Sequence, residues 1–258
     1  MSSYPRLDLS DDASAERPDT RGPQRPPEPL AIRLQRRVWD RRAGRWDHAG
    51  SPDLTRVVDT VLAACSLSGG EQIVDLGCGT GALSLPLAAR TSSVLAVDVS
   101  EEMLRTLRSK AVDAGLANLT TRHCPIERLD LGAASVDRVV SNYALHHLRD
   151  GDKQAVIAAA AGWLRPGGLL VVGDMMFGRG ASAGDRAIIR SKVASLARRG
   201  PGGWWRVAKN VARYTLRVQE RPVSSQTWAR YAERAGLVDV RVLPVVAEAA
   251  VVVARKAS

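Results

Sequence analysis

The 258-residue chain holds one stretch whose residue types and spacing could do chemistry together, VDLGCGTGALSLPLA at positions 74–88. An apolar run enters Gly77, Gly79 and Gly81, and a helical pattern opens directly after them. Glycines at such a point let the backbone turn sharply and lie flat against a ligand, while the free N–H groups of a helix start point at it. Gly77, Gly79 and Ala82 also satisfy the loose dinucleotide pattern, so the loop by itself does not choose its ligand. Two carboxylates narrow the choice. Asp75, two positions before Gly77, would repel a pyrophosphate but suits a ligand that carries an ammonium group. Asp98 ends the next apolar run, 17 residues after Gly81, where a carboxylate can accept from both hydroxyls of a ribose.

Such residues need a scaffold that brings strand tips together, and the pattern beyond Gly70 supplies one. Short apolar runs at 73–76, 94–97, 119–123, 137–141 and 169–173 alternate with helical patterns at about 81–90, 101–114 and 153–164. This alternation predicts right-handed crossovers, hence an α/β, doubly wound, mainly parallel sheet with helices on both faces. The end differs: a helix near 224–236 precedes runs at 238–245 and 249–255, too close together for a crossover helix. They should form a terminal antiparallel hairpin at the sheet's edge. Pro86 lies inside the helix after the glycine loop and should bend it or shift its start. Before the sheet, Ile32, Leu34, Val38 and Trp39 suggest a basic amphipathic helix over about 31–47. A second helix should begin near Pro52, with Leu54, Val57, Val58, Val61 and Leu62 on one face.

With these elements in place, VDLGCGTG followed by AVDVSEEML resembles the class I S-adenosylmethionine (SAM)-dependent methyltransferases, in particular the small-molecule branch that includes quinone-biosynthesis enzymes. IERLDL at 126–131, SVDRVVSNYALHHL at 135–148 and WLRPGGLLVVGD at 163–174 keep the order of the later motifs. The resemblance spans about 70–175 and implies a seven-stranded SAM methyltransferase fold with SAM as cofactor. It implies that Asp75, Gly77, Cys78, Gly79 and Gly81 hold the methionine moiety and Asp98 the ribose. Val99 and Met103 would wall one face of adenine, and Ile126 and Glu127 would close on the other. Ser141 and Asn142 would lie beneath the methionine part and the sulfonium. Where many relatives place an Asp to receive the adenine amine, this chain has Pro125. Of the adjacent His146 and His147, which point about 100° apart on a helix, only one should face the site; the family pattern favours His146 as a base. Asp174, ending the fifth strand at the open carboxyl edge, is a candidate substrate contact.

Composition bounds the remainder. Residues 1–30 hold six prolines and few aliphatics, which predicts a disordered tail before a domain spanning 31–258. The formal charge of +10 is uneven: residues 185–221 carry ten basic and two acidic side chains. That argues against a uniformly basic, histone-like chain and for a near-neutral domain with one cationic insert. The insert, 178–222, should be a helical substrate lid, opposite a wall from the N-terminal helix that bears Trp39 and Trp46, the first of the cap helices at 31–69. Its charge would suit an acidic substrate or an anionic membrane surface giving access to a lipid-like acceptor. Nucleic acid fits less well, because SNYA replaces the Asn/Asp-Pro-Pro-aromatic motif of enzymes that methylate nucleic-acid amines. Three cysteines in no paired spacing argue against a disulfide scaffold or a zinc site, and no metal is expected. With no apolar leader behind the first residues, a cytoplasmic protein is expected. The first expectation is therefore a small-molecule methyltransferase. The alternatives are a non-catalytic SAM-binding protein that docks a partner or membrane through the insert, and an RNA or protein methyltransferase.

Overall fold

A computed structural model describes residues 30–41, 52–177 and 221–258, with Arg186 and Arg190 besides. The proline-rich segment before Leu30, Trp46 and nearly all of the cationic insert lie outside the described residues.

Seven strands form one sheet: β1 (Gln72–Leu76), β2 (Ser93–Asp98), β3 (Leu119–His123), β4 (Val136–Asn142), β5 (Leu164–Met175), β6 (Leu237–Val246) and β7 (Ala249–Lys256). Their order is β3-β2-β1-β4-β5-β7-β6. The first five pair in parallel, whereas β7 runs antiparallel to both β5 and β6. The terminal hairpin is thus present, closed by Ala247 and Glu248, with β6 on the edge. Strand order reverses between β1 and β4, and a crevice opens outside the carboxyl ends of strands at such a switch point.

The inner strands read as largely apolar runs because both faces are covered, unlike the edge strands β3 and β6. On one face Ile73, Val140, Val171 and Val251 pack with Val57 and Val61 of α2 (Pro52–Ala64) and with Leu87 of α3 (Ser84–Ala88). On the other, Val74, Val139, Leu170 and Val252 pack with Ile157 of α5 (Asp150–Trp163) and Trp228 of α6 (Ser225–Arg234). Between them in sequence, α4 (Glu101–Asp113) sets Leu104 and Leu107 against Ala96.

One helix differs from its sequence expectation, and another is described only in part. The one after the glycine loop starts only at Ser84, which puts Pro86 in its first turn, where a missing N–H costs no helical bond. At the N-terminus, α1 spans Leu30–Asp40, and the second half of the expected 31–47 helix lies outside the described residues. No described helix is long and apolar enough to cross a membrane.

Candidate active site

The glycine loop is built by β1 running into left-handed backbone, which favours glycine. Gly77, Gly79 and Gly81 have φ of 75°, 52° and 96°. A Cβ on Gly77 would lie 2.3 Å from that of Ala144, and one on Gly81 would lie 2.4 Å from Leu107 Cδ1. The loop is strapped to the neighbouring strand: the N–H groups of Gly77 and Cys78 both donate to Val97 O, at 2.8 and 3.0 Å. At the tip of β2, Asp98 accepts from Gly79 N–H at one oxygen and from Ser100 N–H at the other, both at 2.9 Å. Burial pushes the Asp98 carboxyl above its usual range despite these bonds. Asp75 is buried more deeply, with Ser84 Oγ donating to it at 2.6 Å. Burial first, and the nearby Asp98 charge as a smaller cause, push its carboxyl up to about 7. Two carboxylates this poorly solvated suit a ligand that brings positive charge and hydroxyl donors. The Cys78 thiol is also buried and pushed well above its usual range, which makes it packing rather than nucleophile.

These groups border a cavity of about 380 Å³. Val99, Met103, Ile126 and Glu127 line it beyond Asp98, with Pro125 where the family pattern has an acid. Asn142 lines it from the tip of β4, its Oδ1 buried without a hydrogen-bond partner. Trp39 closes the opposite side, its ring edge-on to His147 at 4.9 Å between centroids. Behind Trp39, Asp40 accepts from Ser100 Oγ at 2.6 Å, so α1 is tied to the start of α4.

Three expected site residues sit elsewhere. Ser141 does not line the cavity; its hydroxyl donates to Leu76 O at 2.8 Å and ties β4 to β1. His146, expected as the base, lies behind the cavity wall, because the LHH segment is a 3₁₀ turn that faces His147 inward instead. Asp174, expected at the substrate, is wholly buried and committed to His146: it accepts from that residue's backbone N–H at 2.9 Å and meets Nδ1 at 2.6 Å. Trp46 is outside the described residues.

The wall that sequence reasoning missed is apolar. Leu54 and Val58, one turn apart on α2, line the cavity with Thr55 between them, while Val57 and Val61 face the sheet. Tyr143 joins them from the tip of β4, held at φ 50°, a conformation that costs a non-glycine residue about 1–3 kcal/mol and concentrates at functional sites. The adjacency of Leu54 and Val58 to an otherwise complete sheet-facing stripe was the one available signal.

Residues 73–168 match the family model of a methyltransferase domain. The chain carries a class I SAM-dependent methyltransferase domain. An uncharacterized methyltransferase of Mycobacterium tuberculosis is 36% identical to this chain over 114 residues, 44% of the chain and 55% of that protein. The 27-O-demethylrifamycin SV methyltransferase of Amycolatopsis mediterranei is 29% identical over 145 residues, 55% of this chain and 51% of that protein. The chain thus spans about half the length of the relatives it matches. Among solved structures, a SAM-dependent methyltransferase from Aquifex aeolicus superimposes with a TM-score of 0.58 at 19% identity, covering 83% of this chain and 98% of that one, a likeness of fold.

SAM fits the cleft of this methyltransferase domain on the cleft's own terms. The Gly77 approach leaves no room for a side chain, Asp98 ends β2 at the mouth of the loop, and the deeply buried Asp75 has Ser84, not a cation, as its hydrogen-bonded side chain among the described residues.

Proposed function

We propose that this protein transfers a methyl group from SAM to a small-molecule acceptor. The observation that carries this reading is the continuity of one cavity from the glycine cradle into the apolar chamber of Leu54, Val58, Trp39 and Tyr143. SAM supplies a methyl on a sulfonium, already activated for displacement.

The chain's own part is then alignment and exclusion of water. Asp98 takes the ribose hydroxyls, Asp75 the ammonium, and Val99 and Met103 face adenine across from Ile126 and Glu127. Asn142 sits at the boundary of the two halves. Trp39, Leu54 and Val58 keep water from the far side and press the acceptor toward the boundary. An acceptor hydroxyl must shed its proton during attack, and His147 is the imidazole in the wall placed to take it. The relatives' names fit such an acceptor: one acts on a demethylrifamycin and another is an O-methyltransferase of ubiquinone biosynthesis.

An acceptor of lipid-like or acidic character, reached through the cationic stretch 185–221, belongs to the same proposal, as do a cytoplasmic setting and the division into a tail before a single domain. The purified chain, incubated with methyl-labelled SAM and a cell extract, is expected to label a small organic product identifiable by mass. Label appearing only in RNA or protein overturns the small-molecule reading.

A further inference from the structure

The turn that carries His147 is gripped from behind by a lysine that takes no part in the chemistry above. Lys153, in the first turn of α5, is fully buried. Its ammonium donates to the carbonyl of Leu148 at 2.9 Å, to the carbonyl of Arg221 at 2.7 Å and to the Asp150 carboxylate at 3.1 Å. Three N–H donors thus meet three oxygens, the condition under which an ammonium tolerates removal from water. The Arg221 N–H donates in turn to the carbonyl of His146 at 2.7 Å. Pro222 and Val223, which follow, are buried beside it.

The 3₁₀ turn Leu145–His147 is therefore fixed on two sides. Asp174 takes the backbone N–H and ring of His146, and the backbone of Arg221 takes its carbonyl. Lys153 closes the circuit by holding Arg221 and Leu148 to one point. A buried charge is a poor choice for stability alone, since apolar residues of similar volume serve as well or better. What an ammonium adds is direction: it holds two carbonyls from separate parts of the chain at bonding distance from one atom.

The geometry points to Lys153, acting through the backbone of Arg221, as a positioning residue for the turn that sets His147 against the acceptor. Only the kinetic half of this inference rests on the methyl-transfer reading; the placement of the turn does not. Among the described residues, both of these hydrogen bonds of residue 221 are made by its backbone, so its side chain should be immaterial to them.

The test uses the full chain with ¹³C-labelled histidine, followed by NMR, and S-adenosylhomocysteine as the binding probe. Lys153→Met is expected to move the ring signals of His146 and His147 while leaving those of His123 in place. S-adenosylhomocysteine affinity should stay within about twofold, and kcat for the labelled product should fall about tenfold or more. Arg221→Pro, which removes the N–H to His146, should reproduce the change, and Arg221→Ala should be silent. If Lys153→Met does not fold, the two Arg221 variants decide. Unmoved His146 and His147 signals in Lys153→Met and Arg221→Pro, or an Arg221→Ala effect equal to that of Arg221→Pro, overturn the inference. Failure of the unmodified chain to bind S-adenosylhomocysteine would instead sink the methyl-transfer reading and leave the histidine signals to judge the turn.

Discussion

The two halves of the cavity are made of different material. The donor half is mostly backbone at strand tips: three glycines at positive φ, N–H groups spent on Val97 and Asp98, and one carboxylate at the end of each of two adjacent strands. The acceptor half is side chain, contributed by α1, α2 and a 3₁₀ turn. Backbone on a sheet moves little and tolerates little, whereas side chains on helices can change without disturbing the sheet. The donor half should therefore fail sharply when altered and the acceptor half by degrees.

Gly77→Val gives the largest expected effect. It adds atoms where Ala144 already stands and forces a β-branched residue to φ 75°, a cost of about 3 kcal/mol or about 100-fold in S-adenosylhomocysteine affinity by calorimetry. An unchanged affinity would break the contrast between the halves outright. His147→Ala should lower turnover of the labelled product by about 100-fold while leaving S-adenosylhomocysteine binding alone. The same loss from His146→Ala with His147→Ala silent would return the base to the buried partner of Asp174. Asp98→Ala should weaken S-adenosylhomocysteine by about 1.5–3 kcal/mol, through lost hydrogen bonds to a charged acceptor.

The Asp75 carboxyl, held up to about 7 by burial, carries a pH dependence of known sign. In the ligand-free chain its protonated form is favoured, so its contribution to stability is full below the unfolded value near about 4 and is lost as pH rises through 7. A ligand ammonium favours the ionised form, so binding should expel a proton and tighten by about tenfold between pH 6 and 8. Calorimetry in buffers of different ionisation enthalpy reads that proton directly, and proton uptake would place the ammonium elsewhere. Smallest of all, Val58→Ala should raise the acceptor KM a few-fold, about 1 kcal/mol of lost apolar contact, with donor affinity unmoved.

The donor half was legible in the chain because its signals are local. Asp98 stands at the end of an apolar run, and three glycines in five residues can only be a turn. The acceptor half was not, because its signals depend on packing. Leu54, Val57, Val58 and Val61 read as one apolar stripe, yet the helix divides them between sheet and cavity. His146 and His147 could be separated only by the winding of their turn, which is 3₁₀ rather than α. Ser141 and Asp174 sit at strand ends where ligands bind, but hydrogen bonds to Leu76 and His146 absorb them. Lys153 carries no local signal of its role, since the carbonyls it holds lie on segments five and 68 residues away.

One serine touches both halves. Ser100 offers its N–H to Asp98, caps α4 by accepting from Met103 N–H, and gives its hydroxyl to Asp40 beside Trp39. The floor beneath the nucleoside and the α1 side of the roof over the acceptor are consequently joined at one residue. Grafting a foreign first helix onto this sheet, to recruit a new acceptor, would have to preserve a carboxylate opposite that hydroxyl or give up this tie.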